Sequence, residues 1–297
     1  MSSISDRTET YRVQGLKKNP SGARSLFNIL MTSLATLCII TTLIPLVLVL
    51  AFVLIQGANS LNLNLFTQLP PPPGLKDGGI ANAIVGTLMV VGIATVISLP
   101  FGVMAAVYLS EFSGNSRLAS SVRFATNVLA GVPSIIAGVF VYGLLVRTGW
   151  TGYSAIAGGV ALSVLMLPTI IRTTDEALKI VPQDIRWAST GIGASRYQTV
   201  LQVVLPAAVP AILTGVTLAI ARAAGETAPL IFTALFSPFW PNGLFNPIAS
   251  LSVLVYNFAI VPFKPQQELA WAASLILVLL VLATSVAARL VTRQKRF

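Results

Sequence analysis

The stretch VPQDIRWASTGIGASRYQTVLQVVLP, residues 181–206, lies between two long apolar segments, and the rest of the chain is organised around it. Within it, Trp187-Ala188-Ser189 is followed by three residues and then Gly193. Nine further residues lead to Val203, one more residue, and Leu205-Pro206. This spacing is a definite pattern, and its meaning depends on what surrounds it.

The polar loop that contains this pattern extends over about Arg172–Gln198 and is too long for a mere connector. Val181-Pro182, with Asp184 two residues later, is typical of a helix start, and Gly191 and Gly193 are typical of its end. A short helix lying along a membrane surface would suit docking into a groove of a cytoplasmic partner. Spacing alone leaves an ordinary solvated loop open as the alternative.

Composition indicates an integral membrane protein made of helices. The 297 residues are 55% hydrophobic and 9% charged, whereas about a quarter of the residues are charged in a soluble domain. The stretches without Asp, Glu, Lys or Arg are 25–75, 78–110, 124–146, 148–171, 197–221, 227–263 and 269–288. Several exceed the roughly 20 residues that a helix needs to cross a bilayer. The alternation of apolar and polar residues expected of a β-barrel is absent.

Six spanning helices are predicted from these stretches. They cover approximately Phe27–Ile55, Ala83–Leu109, Phe124–Val146, Tyr153–Ile171, Val200–Gly225 and Leu269–Ala288. The uncharged segment 227–263 contains five prolines, which argue against one straight span. A loop with a short amphipathic or re-entrant helix near Ile248–Ile260 is expected there instead.

Four regions follow from this assignment. Residues 1–26 are predicted to be a cytoplasmic tail, 27–79 the first span with an external Pro-rich loop, 80–290 a core that contains the other five spans and the central loop, and 291–297 a second cytoplasmic tail. The four consecutive prolines at 70–73 cannot be helical and favour an extended path.

The distribution of basic residues predicts that both termini face the cytoplasm. Of the 19 lysines and arginines, 15 fall on one side: five in the N-terminal tail, two after the second span, four in the central loop and four in the C-terminal tail. Lys76, Arg147 and Lys264 fall on the other side, and Arg222 lies inside a span. The positive-inside rule makes the richer side cytoplasmic. A seventh span at 227–263 would spoil this asymmetry.

Several functional classes are excluded by what the sequence lacks. There is no histidine and one cysteine, Cys38, so histidine-based catalysis, a disulfide framework and a zinc site are ruled out. No G-x-x-x-x-G-K-[ST] motif occurs, so this chain is expected to bind no ATP through a P-loop and to be no enzyme. The net charge of +10 comes from residues at span ends rather than from a nucleic-acid-binding patch.

Two groups of charged residues lie where charges are costly. Arg222 lies 12 residues beyond Pro210, or roughly 18 Å along a helix, which predicts a position near or past the bilayer midplane. Glu226 follows four residues later on the same face. Such residues usually face a cavity and mark a substrate path. A structural Arg222–Glu226 ion pair is the alternative, and the two interpretations agree if the pair opens to admit an anion. Arg172, with Asp175 and Glu176, repeats the arrangement at the cytoplasmic end, where a salt-bridged interfacial anchor is the alternative.

The spacing of the central loop resembles the EAA loop of ABC-importer permeases, in which Glu-Ala-Ala, three residues, Gly, nine residues and Ile-x-Leu-Pro form the pattern. Trp187 stands in place of the usual Glu, and Ser189 in place of the second Ala. The resemblance covers about residues 80–290. It implies an all-α, six-span permease of the type I fold, with a coupling helix in this loop that inserts into a separate ATPase subunit.

A narrower resemblance is to the phosphate-transport permeases of this family. The runs that carry it are Arg172–Asp175, Ala221–Leu230, Phe239-Trp240, Pro247–Ala249 and Leu269–Ala272. It implies inorganic phosphate as the substrate, a homologous second permease subunit, two ATPase subunits that bind the ATP, and a periplasmic phosphate-binding protein. Guanidinium groups suit phosphate because they can form two parallel hydrogen bonds to it.

The resulting hypothesis assigns roles to two sets of residues. The substrate path would contain Arg222, Glu226, Arg172 and Asp175, and the ATPase-coupling loop would contain Asp184, Arg186, Trp187, Ala188, Ser189 and Gly193. A permease for another oxyanion, such as molybdate or sulfate, is one alternative. A secondary transporter or channel that needs no ATPase is the other.

Overall fold

The computed structural model describes residues 23–114 and 116–293, with side chains from 24 to 290, and the described residues form helices and loops without strands. The α-helices are α1 Ala23–Ala58, α2 Leu63–Thr67, α3 Ala81–Val107, α4 Arg117–Gly131, α5 Ser134–Val141, α6 Ala155–Ile180, α7 Gln183–Gly191, α8 Arg196–Thr199, α9 Leu205–Gly225, α10 Ala228–Thr233, α11 Leu251–Ala259 and α12 Lys264–Arg293. Three wider π-helical turns continue α3, α5 and α8, namely π1 Tyr108–Phe112, π2 Tyr142–Val146 and π3 Val200–Val204.

The first helix is described by itself up to Phe52, because its residues up to that position belong to a separate compact unit. It has the highest hydropathy among the candidate spans of the described residues, and it continues through Pro45. The predicted span at Phe27–Ile55 is thus confirmed as a helix, which begins earlier, at Ala23. Most of the predicted N-terminal tail, residues 1–22, lies outside the described residues, as do residues 294–297 of the C-terminal tail.

The main core lies where α3, α6 and α9 pack together, and it includes the buried side chains of Val90, Leu162 and Val216. Small residues let these helices approach closely, as is usual between membrane helices. A methyl group at Gly102 of α3 would lie 2.7 Å from Cγ2 of Ile170 on α6. The backbone contact therefore depends on glycine at this crossing.

A second cluster joins α2, α11 and α12 to the start of α3, around the buried side chains of Leu65, Leu251 and Ala272. The buried side-chain amide of Gln266 on α12 hydrogen-bonds to the Pro-rich loop. This amide donates to the carbonyl oxygen of Pro72 at 3.0 Å and accepts from the backbone N–H of Gly74 at 3.2 Å. The expected short helix near Ile248–Ile260 is confirmed as α11.

The predicted third span at Phe124–Val146 is wrong as a single straight helix. Two helices occupy this region, Arg117–Gly131 and Ser134–Val146, and they are bent by 105° relative to each other. The cause is local: Val132 precedes Pro133 and takes extended backbone angles, φ −71° and ψ 129°, because the proline ring disfavours the helical conformation of the residue before it.

Five continuous helices of the described part are long and apolar enough to cross a membrane, or six if the bent pair counts as one span. The fourth span extends further than predicted, to Ile180 instead of Ile171. Arg172 and Asp175 therefore lie on a helix and not in the polar loop that was expected to start at Arg172. With 26 residues, α6 is about 39 Å long at 1.5 Å per residue. It exceeds the roughly 30 Å hydrocarbon core, so its charged last turns can extend beyond it.

Candidate functional site

The predicted short helix in the central loop is confirmed as α7. Pro182 precedes its first residue, Gln183, in an extended conformation, and Asp184 lies in the first turn, where an acidic side chain complements the helix dipole. Just beyond the helix, Gly193 has φ +93°, a left-handed conformation that only glycine adopts readily. The proline and glycine thus set the two ends of α7.

The two faces of α7 have different environments. Asp184, Trp187 and Ala188 are exposed, and Trp187 shows 64% of its surface. Ser189 is buried, and its hydroxyl oxygen lies 2.9 Å from that of Thr199 on α8. The outward face is therefore available to a partner, whereas Ser189 fixes α7 to its own chain.

Arg186 also turns inward, toward π1 at the end of α3. Its guanidinium donates to both carboxylate oxygens of Glu111, at 2.7 and 3.4 Å. It donates in addition to the carbonyl oxygens of Leu178 and Val181 at the end of α6. Only 14% of the Arg186 side chain and 9% of the Glu111 side chain are exposed. Removing one partner of such a buried pair costs about 3–5 kcal/mol, because the other charge is left uncompensated.

Asp175 does not pair with Arg172, contrary to the arrangement expected from the sequence. One of its carboxylate oxygens accepts from Arg123 of α4 at 2.9 Å and from Lys179 one turn later. An acidic residue four positions before a lysine is the favoured order on a helix, which explains the second contact. Glu176 likewise forms no ion pair with Arg172 within the described residues.

Arg172 is exposed and contributes to a cavity of about 160 Å³ between α4 and α6. Arg123, Lys179, Asp175 and Glu176 line the same cavity. Its walls therefore carry three cations and two carboxylates, and Arg123 and Lys179 are already engaged by Asp175. Arg172 is the cation of this cavity for which the described residues supply no ion pair.

Arg222 and Glu226 lie at the far end of α9 from α7. The continuous helix from Arg196 to Gly225 has 30 residues, or about 45 Å at 1.5 Å per residue, and Arg222 is in its last turn. Its Nε is 3.7 Å from Oε1 of Glu226, too far for a good hydrogen bond. The Arg222 side chain is 65% exposed and that of Glu226 17%. This cation is open to solvent or to a ligand.

The structure thus separates the predicted substrate-path residues into two places. Arg172 and Asp175 lie near α7, and Arg222 and Glu226 lie near the opposite end of the bundle. No group of three or more acidic or cysteine side chains within reach of a metal ion occurs in residues 23–114 and 116–293.

Sequence reasoning missed three residues that organise this region, Glu111, Arg123 and Arg196. Glu111 is buried, Arg123 bridges α4 to α6, and Arg196 stacks over the ring of Phe112 with 5.6 Å from Cζ to the ring centroid. A usable signal existed for Glu111, since it is the first charged residue after the uncharged stretch 78–110. Its partner, Arg186, is 75 positions later in the chain, so no local sequence pattern indicates that the two residues pair.

Comparison with known proteins places the chain among transport proteins. The family model described as "Binding-protein-dependent transport system inner membrane component" matches residues 98–297. The phosphate transport system permease protein PstA of Yersinia pestis is 39% identical over 297 residues, covering 100% of both chains. The protein of the same name from Haemophilus influenzae is 40% identical over 278 residues, covering 92% of this chain and 96% of the relative.

Solved structures show the same architecture. A chain of a bacterial alginate ABC transporter, crystallised with a periplasmic protein that holds an alginate pentasaccharide, superposes with a TM-score of 0.65. The match covers 90% of this chain and 95% of that one at 14% identity, so it concerns the fold alone. The all-helical fold is that of the type I ABC-importer permeases, and the chain belongs to the family of inner membrane components of binding-protein-dependent transport systems.

Proposed function

We propose that this chain is a permease subunit of an ATP-driven importer of inorganic phosphate. The observation that carries the proposal is Arg222, a cation at the end of a long apolar helix whose carboxylate neighbour is 3.7 Å away. Arg222 lies in the last turn of this helix, and its exposed guanidinium, which lacks a hydrogen-bonded carboxylate, is free to meet an anion at this end of the bundle. Relatives that are 39% and 40% identical bear the name of phosphate transport permeases, which supports phosphate as that ion.

Phosphate would compete with Glu226 for the guanidinium of Arg222. The phosphate anion can accept two parallel hydrogen bonds from this group, whereas Glu226 accepts none at 3.7 Å. Glu226 would then displace the anion as the path opens inward. Arg172 would act near the cytoplasmic exit, beside the ion-paired Asp175, and offers its charge to the anion there.

The exposed face of α7 would dock on a separate ATPase subunit. Trp187 suits such an interface because large exposed aromatic side chains often dominate binding energy. ATP binding and hydrolysis would occur in two ATPase subunits, since no P-loop motif occurs in this sequence and we expect this chain to bind no cofactor of its own. A homologous second permease subunit would complete the path in the lipid bilayer, a periplasmic phosphate-binding protein would deliver the anion, and both termini would face the cytoplasm.

Reconstitution would test this function. The chain is co-expressed with the permease, ATPase and binding-protein genes that accompany it, and uptake of radiolabelled phosphate into proteoliposomes is measured with ATP or a non-hydrolysable analogue inside or outside. We expect ATP-dependent uptake that excess unlabelled phosphate abolishes and equal molybdate or sulfate leaves intact. Displacement by molybdate or sulfate would assign another oxyanion, and uptake without ATP hydrolysis would assign a secondary transporter or channel.

A further inference from the structure

The π-helical turn π1, at the end of α3, receives arginine side chains from three other helices. Arg123 of α4 donates to the carbonyl oxygen of Leu109 at 2.9 Å. Arg186 of α7 donates to the carboxylate of Glu111, and Arg196 of α8 donates to the backbone carbonyl oxygen of the same residue. Three helices of the predicted cytoplasmic end thus converge on π1, at Leu109 and Glu111.

The backbone of π1 explains why arginines collect there. The last carbonyl groups of a helix have no partner within it and carry a partial negative charge, which attracts cations. A π-helical turn widens the end of the helix, and such turns are frequent at functional sites. Arg123 and Arg196 satisfy backbone carbonyl groups in this way, whereas Arg186 bonds to a side chain.

The contact between Arg186 and Glu111 differs from the other two because it joins the coupling helix to α3 by an ion pair. Both side chains are largely buried, and both carboxylate oxygens are engaged. The same guanidinium holds the end of α6 through Leu178 and Val181. A displacement of α7 would therefore pull on α3 and α6 together, the two helices that form the main core.

We propose that Glu111 is a positioning residue that transmits movement of the coupling helix to the spanning helix α3. This inference rests on the proposed function, because it presumes that an ATPase subunit moves α7. Loss of the negative charge at position 111 would leave α7 docked on the ATPase but weaken its hold on α3. ATP hydrolysis and transport would then become partly independent of each other.

The test uses the complete reconstituted transporter carrying Glu111→Gln, which keeps the size of the side chain and removes its charge. Allosteric coupling in proteins typically changes binding affinities about 5- to 150-fold. We expect stimulation of ATP hydrolysis by phosphate-loaded binding protein to fall by a comparable factor, about tenfold. Phosphate taken up per ATP hydrolysed should fall in parallel, with ATPase subunits still co-purifying.

Glu268→Gln is the matched control, since Glu268 is an exposed carboxylate near the start of α12, away from π1. It should behave like the wild type.

A double variant separates coupling from simple loss of stability. Arg186→Gln removes the ion pair and the contacts with α6, so Glu111→Gln/Arg186→Gln should be no worse in stimulation than Arg186→Gln alone. Additive losses would overturn the proposal, as would wild-type stimulation in Glu111→Gln.

If Glu111→Gln fails to assemble, Glu111→Asp decides: reduced stimulation in the assembled complex supports the proposal, and unchanged stimulation overturns it. Wild-type uptake of phosphate, measured alongside, shows separately whether the proposed function holds.

Discussion

Two arginine–carboxylate pairs lie near opposite ends of the bundle and differ in almost every physical respect. Arg186 and Glu111 are 2.7 Å apart and largely buried, and Arg186 also contacts two carbonyl oxygens. Arg222 and Glu226 are 3.7 Å apart, and the Arg222 side chain is 65% exposed. The first pair leaves little hydrogen-bonding capacity unused, whereas the second leaves most of the guanidinium free.

The difference shows how the same two residue types can serve opposite purposes. A buried pair whose donors and acceptors are occupied holds helices in a fixed relation, and separating it is costly. A pair whose cation is exposed and that has no hydrogen bond contributes little, so an incoming anion can replace the carboxylate at little cost. We therefore propose linkage as the role of Arg186 and anion attraction as the role of Arg222.

The largest expected effect comes from Arg222→Gln. Glutamine keeps a polar side chain but removes the cation that phosphate would meet, so uptake into proteoliposomes should be abolished. Co-purification of the ATPase subunits should persist, because the exposed Arg222 supports few contacts within this chain. Uptake and subunit content are measured on the same preparations.

Arg147→Gln is the matched control for this prediction. Arg147 is also exposed and follows a helical segment, at the end of π2, but it is not among the predicted path residues. Its replacement should leave uptake near the wild-type rate. Normal uptake in Arg222→Gln would refute the anion-path role, and equal losses in both variants would show that a general loss of positive charge is responsible.

The next largest effect is expected at the outward face of α7. Trp187→Ala removes a side chain that is 64% exposed and, as an interface residue, should weaken ATPase binding by at least 2 kcal/mol, or about 30-fold. The measurement is the retention of ATPase subunits on the immobilised permease at increasing dilution. Retention equal to wild type would place the docking contact elsewhere on the molecule.

The sequence predicted the spans, the short helix α7 and the short helix near residues 248–260, because each depends on local signals. Apolar length predicts a span, and proline and glycine near Pro182 and Gly193 mark the ends of α7. The break at Val132-Pro133 also has a local cause, but the assignment of the third span rested on the uncharged apolar stretch and did not take Pro133 into account. Local patterns were therefore sufficient wherever the interaction lay within one element.

The partners of the charged residues could not be predicted in the same way. The pairing of Asp175 with Arg123 joins residues 52 positions apart, and that of Glu111 with Arg186 joins residues 75 positions apart. Such contacts depend on how α4, α6 and α7 meet in space. A close cation in the sequence, Arg172, was instead taken as the neighbour of Asp175, since only the i, i+3 and i, i+4 spacings are visible in a sequence.

A smaller effect is expected when the weak pair itself is changed. Glu226→Gln removes the competitor for Arg222, so phosphate should bind more tightly and leave more slowly. Because the Arg222 side chain is 65% exposed and the pair has no hydrogen bond, we expect the pair to contribute about 1 kcal/mol at most. The KM for uptake should therefore fall by up to about fivefold, with a lower maximal rate. Initial uptake rates over a range of loaded binding protein give both quantities. A raised KM would mean that Glu226 helps to hold the anion instead of competing with it.

The smallest effect is expected inside α7, on the face that carries Arg186. Ser189→Ala removes the 2.9 Å hydrogen bond to Thr199 and leaves that hydroxyl without its partner, which should destabilise the local packing by about 1 kcal/mol. Thermal unfolding of the detergent-solubilised complex, followed by tryptophan fluorescence, should shift slightly downward while uptake stays near wild type. Thr190→Ala is the control, because the hydroxyl of Thr190 bonds only to carbonyl oxygens of its own helix on the exposed side. A marked loss of uptake in Ser189→Ala with an unchanged unfolding temperature would show that the inward face of α7 acts in coupling through this bond as well as through Arg186.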